Sequence, residues 1–127
     1  MSILYPSDAE LEILQILWEA QPLTVRQVHE QLALTKDVGY TTTLKQMQRM
    51  LDKELLSRTE EGKTHLYTTP VQRGNIRKSL LSRLAETAFK GSAMSLAMQA
   101  LGDSDPSEQE LEALERWLEE KRKQNPS

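Results

Sequence analysis

Three helix starts are announced by a Ser or Thr that stands three residues ahead of a Glu or Gln and leads into an apolar run: "SDAE" at 7–10, "TVRQ" at 24–27 and "SEQE" at 107–110. Each is a capping box, in which the hydroxyl accepts from the third backbone N–H while the acid or amide reaches back to the capping residue. These boxes fix where helices begin, and the apolar residues behind them fix which face each helix buries. After Ser7, residues Ala9, Ile13, Ile16, Leu17 and Ala20 recur at helical spacing, and Pro22 ends the run by disfavouring helix in the residue before it. After Thr24, the residues Val25, Val28 and Leu32 form a stripe at i, i+3, i+7. "TKDVG" breaks that pattern, and Gly39 is placed to cap a third helix over residues 40–53.

That third helix opens on Tyr40 and three threonines, which are middling helix formers. At about 100° per residue, Tyr40, Thr43, Leu44, Met47, Met50 and Leu51 fall on one side and are expected inward. Thr41, Thr42, Lys45 and Arg49 fall on the other, with Gln46 and Gln48 on its flanks. Two short helices, a tight connection and a third helix of this kind describe a helix-turn-helix. Short hydroxyls beside amides and cations suit a groove of duplex DNA: the backbone approaches closely while longer side chains reach base edges or phosphates.

Beyond Leu55 and Leu56, "SRTEEGKTHLYTTP" carries strand-forming Thr, Leu and Tyr around a turn expected at Glu61-Gly62. Three helices and a hairpin make a winged helix. Arg58, Lys63 and His65 are placed to reach phosphate from the wing, whereas Glu60 and Glu61 near its tip repel it. Past Pro70 three more helices are expected. The first aligns Ile76, Leu80, Leu84, Ala88 and Phe89 and stops at Gly91. The second holds Met94, Ala97, Met98 and Leu101. After a turn at 103–106, the third sets Leu111, Leu114, Trp117 and Leu118 inward. Their stripes are too wide to bury within one chain, and pairing with a second copy is the economical solution. The expected fold class is therefore mainly α with a small β-hairpin. Residues 1–73 form a winged-helix DNA-binding domain and 74–127 a helical dimerisation region.

Charge is unevenly placed. The net charge of −3 hides eight acids against four bases from residue 102 onward, and seven bases against five acids over residues 36–73. The slightly basic middle is compatible with nucleic acid. The absence of cysteine excludes disulfide frameworks, thiolate zinc sites and cysteine nucleophiles. His29 and His65 have no carboxylate at metal spacing, and the five isolated glycines form no phosphate loop. Neither an enzyme nor a cofactor is expected. No apolar run is long enough for membrane insertion, and "MSILYPSDAE" has no basic leader, so a cytoplasmic protein is expected. Two other readings compete with a DNA-binding protein. A protein-interaction adaptor would carry apolar residues at Thr41, Thr42, Lys45 and Arg49. A small-molecule sensor would need an aromatic-lined pocket, and the chain has one Phe, two Trp and three Tyr.

Taken together, "SDAELEILQILWEAQPLTVRQVHEQL", "VGYTTTLKQMQRMLDKELLSRTEEGKTHLY" and "FKGSAMSLAMQALGDSDPSEQELEALERWLEE" resemble the penicillinase-repressor (BlaI/MecI/CopY) family of bacterial transcriptional regulators nearly end to end. The resemblance implies a winged-helix repressor, dimeric through its C-terminal helices, that binds a dyad-symmetric operator. It implies DNA contacts from Thr41, Thr42, Lys45, Gln46 and Arg49. Some family members are inactivated by a regulatory protease in the C-terminal region, downstream of a membrane-bound zinc metallopeptidase receptor. The equivalent stretch here is Met98-Gln99-Ala100, with Gln99-Ala100 where those members have Asn-Phe. The copper-responsive branch carries a C-terminal cysteine cluster that this chain lacks.

Overall fold

The computed structural model describes residues 5–125; residues 1–4, part of the segment read above for a leader, lie outside them. The described chain contains α1 (Asp8–Ala20), α2 (Val25–Leu32), α3 (Tyr40–Asp52), β1 (Ser57–Glu61), β2 (Thr64–Thr68), α4 (Arg73–Ala88), α5 (Ala93–Gly102) and α6 (Glu108–Gln124). All three capping boxes are formed, each with its hydroxyl and its acid or amide engaged. Gly39 is the N-cap of α3 and supplies no side-chain bond.

The chain divides into two compact units, the first ending at Leu81 and the second starting at Ser82. In the first, α1, α2 and α3 enclose a core of Ile13, Leu14, Leu17, Val28, Met47 and Met50, completed by Leu55, Leu56 and Tyr67. The apolar stripe of α1 differs from the expected one. Ala9 and Ala20 are exposed, Ile16 is half-buried, and Leu14 is fully buried beside Ile13 and Leu17. Alanine contributes little area wherever it stands, so the three large residues set the face.

β1 and β2 pair antiparallel with Ser57 opposite Thr68 and Glu61 opposite Thr64. The two-residue turn is therefore Gly62-Lys63, one position beyond the expected Glu61-Gly62. Gly62 takes φ +66°, as the first central residue of a tight hairpin turn requires. The hairpin is anchored by Leu23, which exchanges both backbone hydrogen bonds with Tyr67, at 3.0 and 2.7 Å. Further on, Thr69 Oγ1 donates to Leu55 O at 2.8 Å, and the Gln21 side chain accepts from Thr69 N–H at 2.8 Å.

The first unit extends beyond residue 73 because the start of α4 is fastened to α1. Trp18 Nε1 donates to Val71 O at 2.8 Å, Arg73 lies over the Trp18 ring and pairs with Glu19 at 2.6 Å, and Ile76 is buried. In the second unit, α4 ends at Ala88, and Gly91 N–H returns to Ala85 O at 2.8 Å with Gly91 at φ +84°. Neither α5 nor α6 contains a buried residue.

Glu10 is the one buried acid described, 4% exposed, and it serves both a cap and an ion pair. Its carboxylate accepts from Ser7 N–H at 2.9 Å and from Lys53 Nζ at 2.8 Å, tying the start of α1 to the end of α3. Burial pushes its pKa up. The bonds from Lys53 and Ser7, together with the Lys53 charge, outweigh burial and leave it below the ordinary 4.5. A folded-state pKa below the unfolded value gives stability that is complete above about pH 4.5 and is lost as pH falls through the folded value. Glu10→Gln keeps the capping geometry and removes the charge. It should lower stability by about 1 kcal/mol at pH 7, with the difference from wild type shrinking as the pH is lowered below 4.5 in denaturant titrations.

Candidate nucleic-acid interface

The face of α3 is set by its three buried residues, Thr43, Met47 and Met50. Met47 and Met50 fill the core, and Thr43 brings a hydroxyl into it. Thr43 Oγ1 lies 3.0 Å from His29 Nδ1 and 3.5 Å from Gly39 O. The buried threonine thus joins the start of α3 to α2, and His29 is half-buried rather than exposed. With that side fixed, Thr41, Thr42, Lys45 and Arg49 emerge on the exposed side, and Gln46 is half-buried at its edge.

Tyr40 departs from the inward position expected of it. It is 38% exposed, with its ring edge-on to His29 at 5.7 Å and the Arg26 guanidinium over its face at 5.0 Å. At the first residue of a helix the chain has only begun to meet its neighbours. Aromatic and cationic side chains there stack in place of a core.

The hairpin brings a second set of cations. β1 is exposed along its length, Arg58 included, and Lys63 occupies the turn. A groove of about 330 Å³ separates the hairpin from α3, lined by Arg26, Tyr40, Leu44, Gln48, Arg58, Lys63 and His65 among others. His65, opposite Glu60 in the register, pairs with that carboxylate at 3.1 Å. Its charge, when protonated, is spent locally.

The ion pairs sort the cations of the basic middle. Lys36, Lys53 and Arg73 pair with Glu12, Glu10 and Glu19, all on α1. Lys45, Arg49, Arg58 and Lys63 make no ion pair among the described residues. Of the seven bases between residues 36 and 73, the four left unpaired are the four that sequence reasoning placed on the reading helix and the wing. A surface that keeps its cations unneutralised is suited to a polyanion. Among the described residues no cluster of His, Asp and Glu is arranged to hold a metal ion, and no helix is long and apolar enough to cross a membrane.

The residues expected at a dimer contact are largely uncovered. Met94, Met98 and Trp117 are 66%, 63% and 53% exposed, and Leu84, Leu101, Leu111 and Leu118 are also exposed. Phe89 and Leu114 are half-buried. Leu80, also half-buried, lines a cleft of the first unit with Leu11, Trp18 and Ile76. The Met98-Gln99-Ala100 stretch lies inside α5, exposed, with Gln99 Nε2 donating to Asp103 at 2.8 Å.

A helix-turn-helix followed by an anchored hairpin, with unpaired cations on the third helix and the hairpin, defines a winged-helix protein with a helical C-terminal region. Residues 6–120 match the family described as Penicillinase repressor, and the chain belongs to that family. It is 33% identical over 87 residues to the transcriptional regulator BlaI of Mycobacterium tuberculosis, a match covering 67% of this chain and 63% of the relative. It is 24% identical to the penicillinase repressor of Bacillus licheniformis, covering 90% of this chain and 89% of that one. The methicillin resistance regulatory protein MecI of Staphylococcus aureus is likewise 24% identical, with 91% and 94% covered. The solution structure of the DNA-binding domain of the repressor BlaI superposes with a TM-score of 0.50 at 26% identity, covering 55% of this chain and 85% of that domain.

Sequence reasoning missed Arg26 and the outward turn of Tyr40. The only signal for either was the Arg26–Tyr40 proximity, and that is a tertiary contact. The Thr43–His29 bond tests whether α2 orients α3. Thr43→Val should cost about 1 kcal/mol of stability. In a double-mutant cycle with His29→Phe, a coupling of about 0.5 kcal/mol or more is expected; strictly additive losses would show that the hydroxyl and the ring act independently.

Proposed function

We propose that this chain is a dimeric, sequence-specific DNA-binding transcriptional repressor that recognises a dyad-symmetric operator. The observation that carries the reading is the sorting of charge: α1 neutralises three bases of the middle region, and the four left free lie on α3 and the hairpin. The repressor and regulator names of its relatives support it. In this reading α3 enters the major groove, with Thr41, Thr42, Lys45, Gln46 and Arg49 meeting base edges and phosphates, while Arg58 and Lys63 meet the backbone from the wing. Residues 1–73 carry the DNA contacts and 74–127 the dimer contacts.

The exposed apolar residues of α4, α5 and α6 support dimerisation. Two helices with no fully buried residue are poor structures alone, because most helical stability in proteins comes from packing an amphipathic face. A second copy covering Leu84, Phe89, Met94, Met98, Leu101, Leu111, Leu114, Trp117 and Leu118 supplies that packing, with Leu80 at the margin. Proteolysis at Met98-Gln99-Ala100 would then remove Leu101, Leu111, Leu114, Trp117 and Leu118 from the dimer contact. Because that stretch is helical, a regulatory protease must first open the last turn of α5.

Selection of bound duplexes from a random library tests the class and the symmetry together: a dyad consensus is expected. On the selected site, Lys45→Ala and Arg49→Ala should weaken binding by about 1–3 kcal/mol for a lost base contact, or reduce the salt dependence for a lost phosphate contact. Neither should unfold the protein. Met47→Ala, at a fully buried position, should instead lower stability by about 2–5 kcal/mol. Unchanged binding by both cation variants would move the contact surface away from α3.

A fragment of residues 1–99 should stay folded in its first unit, sediment as a monomer and lose most operator affinity at physiological salt. The avidity of two linked half-site modules is about 10²–10⁴. A fragment that stays dimeric and binds as tightly as the full chain would overturn the dimer assignment.

A further inference from the structure

Arg26 has no place in the reading so far. It sits on the first turn of α2, is exposed, and makes no ion pair among the described residues. The field of its own helix disfavours a cation there, since a helix N-terminus carries partial positive charge. Its guanidinium is nonetheless held in one orientation, 5.0 Å from the centre of the Tyr40 ring. That ring is steadied in turn by His29, edge-on at 5.7 Å, and His29 by Thr43 at 3.0 Å. A chain of contacts from the core therefore ends in an unneutralised guanidinium on the groove that also holds Arg58 and Lys63.

We infer that Arg26, stacked on Tyr40, is a third DNA contact beyond the α3 face and the wing: a guanidinium pre-set to take a backbone phosphate beside the start of α3. The inference rests on the DNA-binding reading and extends it to a residue of α2. A guanidinium donates two parallel N–H groups to phosphate oxygens, and a guanidinium held over an aromatic face through its cation–π contact makes no hydrogen bond there, so its N–H donors stay free for phosphate. Stacking also removes rotamer freedom that binding would otherwise have to remove. Tyr40 acts as a positioning residue; Arg26 makes the contact. A phosphate contact carries no base preference, so it strengthens binding to any duplex and fixes the angle at which α3 meets the groove.

The test uses the full-length chain, its selected duplex and a scrambled duplex of equal length, with Kd measured across a range of KCl. Arg26→Ala should weaken binding to both duplexes by about tenfold, the worth of one charge-assisted hydrogen bond, and reduce the salt slope by about one. Arg26→Gln should show the same loss of slope. Tyr40→Leu keeps the charge and loses the platform, so affinity should fall about two- to fivefold with the slope held; Tyr40→Phe should bind like wild type. Thermal unfolding of every variant should match wild type to within a few degrees. If Arg26→Ala keeps the wild-type Kd and slope while Lys45→Ala and Arg49→Ala weaken binding, this inference fails and the DNA reading stands. An Arg26→Ala loss confined to the selected duplex would assign a base contact and overturn the phosphate assignment. A wild-type chain that binds neither duplex would overturn the DNA reading and this inference with it.

Discussion

Two backbone hydrogen bonds between Leu23 and Tyr67 decide whether α3 and the hairpin form one cationic surface or two unrelated pieces. A two-stranded hairpin alone is marginal in water, and β1 is exposed along its whole length. What holds the hairpin is the reciprocal pair at 3.0 and 2.7 Å, which adds the residue ahead of the α2 cap to the edge of β2. Tyr67 buries its ring at the same point, 2% exposed, so the bridge is both hydrogen-bonded and packed. Arg58 and Lys63 face the same groove as α3 because of that attachment. Without it the wing's charges would be tethered to the helix-turn-helix but not oriented by it.

The second constraint is electrostatic. An unmodified count of bases and acids over residues 36–73 gives a nearly balanced segment, and the balance conceals the function. Glu12 and Glu19 share one face of α1 and Glu10 lies on the other, and each holds one cation of the later chain. These pairs differ in worth. Glu10 is buried and held by two further bonds at the α1 cap, whereas the Lys36–Glu12 and Arg73–Glu19 pairs are partly or largely in solvent and contribute little stability. Their joint consequence is spatial: positive charge is cancelled on the α1 side of the domain and left standing on α3 and the hairpin. A chain of net charge −3 thereby carries a cationic face that the whole-chain sum conceals.

Helix starts and the core side of α3 beyond its first residue were legible in the sequence because they are local, whereas the face of α1 was legible only in Ile13 and Leu17. A capping box is a contact between residues three apart, and Thr43, Met47 and Met50 fall inward by period alone. The hairpin was legible to within one residue, since Gly62 marks a φ that few other residues accept. Three features were not legible, and each is a contact across long sequence separation. The fastening of α4 to α1 depends on Trp18 reaching Val71. The neutralisation of Lys53 depends on a glutamate forty-three positions away. The outward stacking of Tyr40 depends on Arg26, a residue that its own helix gives no reason to single out. Helical period placed Tyr40 with the core residues, but period describes direction around an axis and not how far along the axis the core extends.

The same reasoning separates the two ends of the chain under the proposed reading. The first unit closes on itself: its helices share a core, its hairpin is anchored, and Thr43 and Glu10 satisfy their buried polar atoms internally. The second has well-specified helices and little interior: Ala85 is buried, but the capping box at Ser107 and the basic last turn at Lys121, Arg122 and Lys123 fix the extent of α6 without fully burying any residue of it. Helix specification and burial are separate requirements, and here the sequence meets the first within one chain while the second calls for another. Affinity for a two-fold site would then depend on the less self-sufficient end. A modest loss of helix packing in α5 or α6 would be multiplied through lost avidity, while the reading surface itself stays intact.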